Sequence, residues 1–271
     1  MKILIVGTGK SGTTALAYAI KQGFQDYELI FEPKTLTALN YQKESFIVKS
    51  INTVQNSLWK EEKSEISMFD KKILIIRHPF DAIISVLLYD PFNRLQFDSD
   101  ENVKTYIDII KRKVEQPNLV SLDQIMQTYQ KIVGFDFVKV IKIWYKELIE
   151  MSINKELGFF VLKYEDFVEG KLESINCYLG LDNLNYKVEV DSQFARVSRT
   201  KKHSDWKNWF SQKDINDIEP HFIDFIQKFS YDTNLVESLG VIEPKTSYLY
   251  TINVVNEARR NKGLTEYETS Q

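Results

Sequence analysis

Short apolar runs, largely β-branched, recur along the chain at residues 3–6, 27–32, 46–49, 72–77 and 159–164. The first two are separated by residues 13–23, where apolar positions fall at helical spacing. Strand-length runs alternating with helical segments predict parallel strands joined by crossover helices. Between residues 89 and 134 the strand pattern stops, and residues 103–114 and 122–133 carry apolar positions at helical period, which predicts an inserted helical cap over about 90–134. A long amphipathic helix is expected over 135–151, and a shorter one over 171–179 closed by Gly180. The tail after Pro244, residues 245–271, is polar and expected to fray. The fold class so predicted is α/β: a P-loop-like parallel β-sheet flanked by helices, with a helical cap, in one domain of 271 residues. Ligands of such sheets lie at the carboxyl ends of the strands, where the βα loops gather.

Composition narrows the function classes. Hydrophobic residues make up 43% of the chain and charged residues 27%, an ordinary globular balance. The net charge of −3 gives no general attraction to nucleic acid, so an anion site must be assembled from a few placed cations. A single cysteine, Cys177, excludes an internal disulfide framework. Met1 runs at once into the first strand pattern, so a signal peptide is not expected and the cytoplasm is the expected compartment. Uncharged apolar stretches such as 82–88 fall far short of the roughly 18 residues a spanning helix needs.

The chemistry concentrates in Gly7-Thr8-Gly9-Lys10-Ser11-Gly12-Thr13-Thr14, which follows a predicted strand and opens a predicted helix. Backbone N–H groups and the helix dipole converge there on an anion. Two readings compete. Gly7, Gly9 and Gly12 fit a dinucleotide fingerprint, with Glu32 at the end of the second strand placed to hold a ribose. Lys10, followed by Ser11, Thr13 and Thr14, suits a more highly charged group than a pyrophosphate. A nucleotide-triphosphate loop fits less well, because the spacing is short and no Gly-Lys-Ser/Thr closes it.

Lys10-Ser11-Gly12-Thr13-Thr14 resembles the phosphosulfate loop of the sulfotransferases that use 3′-phosphoadenosine-5′-phosphosulfate (PAPS). Arg77-His78-Pro79-Phe80-Asp81-Ala82-Ile83-Ile84-Ser85 has the spacing of that family's second element, an Arg at a strand end and a Ser eight residues later, which binds the donor's 3′-phosphate. Residues 199–208 resemble the family's late basic loop, with Arg196, Arg199, Lys201 and Lys202 close to Trp206. Val161-Leu162-Lys163-Tyr164-Glu165-Asp166-Phe167 resembles the strand that ends near the nucleotide; Tyr164 either touches adenosine or packs in the core.

The resemblance implies transfer of a sulfuryl group from PAPS to a hydroxyl of a carbohydrate, lipid or small molecule. The product would be 3′-phosphoadenosine-5′-phosphate (PAP). It implies donor contacts from Gly9, Lys10, Ser11, Gly12, Thr13, Thr14, Arg77, Ser85, Tyr164, Arg199 and Lys201, with no metal required. The small-molecule branch carries a catalytic His after a Lys and a hydroxyl residue on its third strand; here Lys49 and Ser50 stand, but Ile51 replaces the His. Bacterial and carbohydrate-directed members use a Glu-Pro glutamate, and Phe31-Glu32-Pro33 has that form. Glu32 is therefore the expected base, strengthened by partial burial, with Lys49 offsetting its charge and Lys10 supporting the leaving phosphate.

His78 is read as a shaping residue, and for His203 and His221 the sequence alone shows no partner. Ala15 replaces the family's adenine-stacking Trp, so the adenine wall is left unassigned. The alternatives are an NAD(P)-dependent oxidoreductase, which needs neither Lys10, Arg77 nor Arg199, and a non-catalytic nucleotide-binding module, which could dispense with Glu32 and Lys49.

Overall fold

The structure, a computed structural model, describes residues 1–39, 42–52, 63–235 and 240–268. Strands β1 (Lys2–Gly7), β2 (Glu28–Phe31), β3 (Phe46–Ile51), β4 (Lys71–Ile76) and β5 (Phe160–Lys163) form one sheet in the order β2-β3-β1-β4-β5, and every pairing is parallel. The five apolar runs are these five strands. The described helices are α1 (Thr13–Gly23), α2 (Lys63–Ser67), α3 (Pro79–Tyr89), α4 (Asp100–Glu115), α5 (Leu122–Val133), α6 (Phe137–Ile153), α7 (Tyr164–Glu169), α8 (Glu173–Leu179), α9 (Gln212–Ile218), α10 (Ile223–Lys228) and α11 (Tyr248–Asn261).

The chain divides into two compact units, residues 1–78 with 142–195, and residues 79–141 with 196–271. The first contains the whole sheet. Its central strand β1 is buried on both faces, Ile3, Leu4, Ile5 and Val6 all being inaccessible, as a parallel sheet covered by helices requires. Leu16, Ala17, Ala19 and Ile20 of α1 join the same core, together with Ile47, Ile73, Ile75 and Leu162 of neighbouring strands. The strand run 159–164 ends one residue early, because Tyr164 opens α7. Glu165 and Asp166 lie in that helix's first turn, where carboxylates are favoured, and Gly170 closes it in the left-handed conformation.

The second unit contains no described strand. Helix α3 is buried from Pro79 to Leu88, and α5 starts with a capping box between Ser121 and Gln124 and stops at left-handed Gly134. Helical structure extends beyond the expected cap at 90–134, since 196–271 adds α9, α10 and α11.

The expectation of a fraying tail is wrong for the described part. Helix α11 buries Tyr250, Ile252, Val254, Val255 and Ala258. The segment after it is tied back: Asn256 exchanges hydrogen bonds with the Tyr267 backbone, and Arg259 donates to the carbonyls of Thr265 and Asp98. These polar side chains make the tail look solvated in the sequence, yet Asn256 and Arg259 are buried and spend their donors on backbone. Residues 269–271 of that tail lie outside the described residues.

Lys113 closes the turn between α4 and α5. Its buried ammonium donates to the carbonyls of Pro117 (2.8 Å) and Val120 (2.7 Å). Burial lowers its pKa to about 8, with Asp214 pulling the other way. Between about pH 8 and the ordinary lysine value the unfolded chain binds more protons than the folded one, so this residue makes stability rise with pH across that window. Lys113→Met is expected to lose about 2 kcal/mol at neutral pH, because two carbonyls are left without a donor. Urea unfolding at pH 7.5 and pH 10 should show the wild-type advantage widening at the higher pH.

Candidate active site

In the order β2-β3-β1-β4-β5 the chain turns from one side of β1 to the other at β4. The crevice outside the carboxyl ends of β1 and β4 is therefore the topological switch point, the usual ligand site of an open parallel sheet. The glycine-rich loop leaves β1 at this point, and Arg77 leaves β4.

The loop is closed by Ser11, whose N–H and hydroxyl both donate to the Thr8 carbonyl (3.2 and 2.8 Å). Gly7 permits this closure, since a Cβ there would lie 2.4 Å from Ser11 Oγ and 2.8 Å from the Ile75 carbonyl oxygen. Gly12 has φ +95°, and a Cβ would lie 2.4 Å from the Tyr164 ring. A Cβ at Gly9 would meet only open space, so that glycine leaves room beside the loop rather than serving protein packing. The first turn of α1 has no side-chain cap and no acidic residue, which leaves its dipole to an anion. Thr13 and Thr14 begin that turn, both buried.

Arg77 is 5% exposed and locked to the loop. Its Nη1 donates to the Lys10 carbonyl (2.9 Å), its guanidinium carbon lies 4.5 Å from the Tyr164 ring centroid, and its own carbonyl accepts from the Tyr145 hydroxyl (2.9 Å). Its Nε is buried without a hydrogen-bond partner among the described residues. Tyr164 thus packs between Gly12 and Arg77 with 8% exposure. His78 donates its backbone N–H to Glu165, in keeping with a shaping role.

Glu32 and Lys49 meet at the carboxyl ends of β2 and β3. Lys49 Nζ donates to Glu32 Oε1 and lies 5.9 Å from the Phe31 ring centroid, while the Glu32 N–H donates to the Lys49 carbonyl (2.7 Å). Burial lowers the Lys49 pKa, and the Glu32 carboxylate opposes that shift. The expected burial of Glu32 is not found. Its side chain is 52% exposed against 3% for Lys49, because β2 is an edge strand and the Glu-Pro turn leaves the sheet there. The Lys49 contact fixes where that carboxylate stands.

Two residues not read from the sequence join this unit's polar interior. Asn52, fully buried, donates its amide to Glu147 (2.7 Å) and its backbone N–H to the Gly7 carbonyl (2.9 Å). Glu147 is 6% exposed on α6. Its signal was available, since it stands four residues before buried Met151 on the apolar face of an amphipathic helix.

In the second unit, Ser85 lies on α3, 2% exposed. The side chain of Arg199 is 3% exposed; Nη1 donates to the Thr246 carbonyl (2.9 Å) and Nη2 is ion-paired with Asp205 Oδ2 (2.7 Å) outside hydrogen-bond geometry, while Nε has no hydrogen-bond partner among the described residues. Lys201 and Lys202 are exposed, whereas Trp206 is buried. Asp81, not singled out in the sequence, accepts from the backbone N–H groups of Ser204 (2.6 Å) and Trp206 (3.0 Å). The available signal was its position as one of two polar residues in an otherwise apolar helix.

Backbone strain marks the same segments. The non-glycine residues with positive φ among those described are Lys10, Glu32, Lys201, Ser204 and Ser230. The first four lie in the glycine-rich loop, the Glu-Pro turn and the basic loop. Such conformations persist where surrounding structure enforces them, and they gather at functional sites. Among the described residues no group of three or more His, Cys, Asp or Glu is placed to hold a metal ion, and no helix is long and apolar enough to cross a membrane.

Among solved structures the chain is similar to mouse sulfotransferase SULT7A1 complexed with PAP, with 17% identity and a TM-score of 0.50, over 83% of this chain and 84% of that one. The likeness is one of fold: the sheet flanked by helices is the sulfotransferase architecture implied by the motifs. No family model matches the sequence, and no curated protein matches it.

Proposed function

We propose that the protein is a PAPS-dependent sulfotransferase acting on a hydroxyl group of a carbohydrate, lipid or small molecule. The observation that carries this reading is the phosphate loop at the switch point, uncapped at α1, holding Lys10 at φ +65° and braced by buried Arg77. A dinucleotide would take the loop too, but its ribose carboxylate would be Glu32, which is engaged by Lys49.

The residues present suit a donor with two phosphate positions. Gly9 leaves room for close approach, and the backbone of Gly9 to Thr14 with the Lys10 ammonium would hold the 5′-phosphosulfate, the Ser11 hydroxyl closing the loop. The resemblance assigns a 3′-phosphate contact to Arg77 in the first unit and to Ser85, Arg199 and Lys201 in the second; the Nε of each arginine is a buried donor with no hydrogen-bond partner among the described residues. Tyr164 would stand near adenosine as well as packing against Gly12. Bound PAPS would supply a sulfuryl group already joined to a phosphate leaving group.

The acceptor oxygen would bond to sulfur as the sulfur–oxygen bond to that phosphate breaks. The acceptor proton would pass to Glu32, with Lys49 holding the carboxylate in place and Lys10 balancing charge on the departing phosphate. Metal is not needed for this division of labour.

The test is a thermal-shift series with PAP, NADH, NADPH and ATP, each confirmed by calorimetric titration. At about 100 times Kd a ligand adds roughly 2.7 kcal/mol, which raises the midpoint by a few degrees. Stabilisation by PAP alone is the expected result. A shift with NADH or NADPH instead would replace this reading by the oxidoreductase one.

A further inference from the structure

We infer that Asp81 latches the basic loop 199–208 through the backbone N–H groups of Ser204 and Trp206, and so acts as a positioning residue that sets donor affinity through Arg199. The inference rests on the donor reading above, and it assigns a role to a residue outside the expected donor contacts.

Asp81 is fully buried, where an ionised carboxylate is tolerated only with strong partners. It has two, one on each oxygen: Oδ2 accepts from Ser204 at 2.6 Å and Oδ1 from Trp206 at 3.0 Å. Amide donors to a carboxylate are stronger than neutral pairs and fix direction as well as distance. The neighbouring residue grips the same loop. Phe80 meets Trp206 edge-on at 5.1 Å and stacks on Phe210 at 4.6 Å. Two consecutive residues of α3 thus hold the loop, one by its backbone and one by its rings.

The latch bears on Arg199 through one intermediate. Asp205 lies between the two latched amides, and its carboxylate pairs with Arg199 Nη2 at 2.7 Å. Fixing residues 204 and 206 fixes where that carboxylate stands. Ser204 is held at φ +62° and Lys201 at φ +52°, conformations a free loop would leave. Without Asp81 the loop would relax, and Arg199 would lose one of its two anchors, the other being the Thr246 carbonyl. A preorganised arginine binds an anion more tightly than a mobile one, because no ordering is left to do on binding. Asp81 also lies in the first turn of α3, where its charge favours the helix dipole. That role alone would affect stability, without any dependence on Arg199.

The experiment compares wild type, Asp81→Asn, Arg199→Ala and the double variant by hydrogen exchange and by calorimetric titration with PAP. Asn keeps the volume and one acceptor, so the fold is retained, as circular dichroism would verify; its amide nitrogen cannot accept the second N–H. The amides of Ser204 and Trp206 should exchange faster in Asp81→Asn, and PAP affinity should fall about tenfold. In the Arg199→Ala background the same change should cost almost nothing, since the path to the ligand has been cut. Equal losses in both backgrounds, or unaltered exchange at Ser204 and Trp206, would overturn the latch. Failure of wild type to bind PAP would strike the donor reading instead, and the exchange data would still judge whether Asp81 holds the loop.

Discussion

Lys10→Ala is expected to slow transfer by about 10²–10³ and to weaken PAP binding by about a hundredfold. Lys10 stands at φ +65° between Gly9 and Ser11, and its carbonyl is held by Arg77. The Arg77 contact is to the Lys10 carbonyl, which alanine keeps, so the substitution removes the charged side chain and leaves the loop backbone this anchor. Deleting one cation from a preorganised phosphate clamp costs on the order of 10²–10³ in rate. Loss of binding follows because the developing charge and the ground-state charge occupy the same phosphate. Lys10→Gly separates charge from conformation. Glycine accepts positive φ without strain, so it should be more stable than alanine here, yet equally slow. Lys10→Arg keeps the charge and should retain part of the binding. Titration with PAP and a transfer assay with labelled PAPS measure each. If Lys10→Ala bound PAP as tightly as wild type, the loop would not be the donor site.

Much of this could be read from the sequence because the signals are local. Strands β1 to β5 follow from apolar runs, and α1 spans Thr13–Gly23 as its spacing requires. The glycine-rich loop was legible as a strand end, turn and helix start because Gly7 to Thr14 is one uninterrupted stretch. What escaped depends on contacts distant in sequence. Asp81 finds its partners 123 and 125 residues away, and Glu147 finds Asn52 across 95. No spacing rule spans such separations. Helix α11 escaped for a different reason: Asn256 and Arg259 look solvated but serve as buried donors to backbone carbonyls. The exposure of Glu32 was hidden too, since an apolar run does not reveal that its strand lies at a sheet edge.

Glu32→Gln should lower kcat by about 10²–10⁴ and leave PAP affinity nearly unchanged, the mark of a lost proton acceptor rather than a lost binding group. The substitution also removes the carboxylate that keeps Lys49 charged. Burial pushes the Lys49 pKa down and Glu32 pushes it back up, so without Glu32 the ammonium loses its proton at lower pH. If that ammonium takes part in turnover, the residual activity of Glu32→Gln should fall away on the alkaline side at lower pH than in wild type. Lys49→Met tests the other half. It leaves a half-exposed carboxylate that water can solvate, so its stability cost should be small while kcat falls. A pH–rate profile of the three proteins separates these effects from donor binding, which titration with PAP reads alone. If Glu32→Gln turned over at the wild-type rate, Glu32 would not be the base, and buried Glu147, bonded to Asn52 beside the end of β3, would be the next residue to replace.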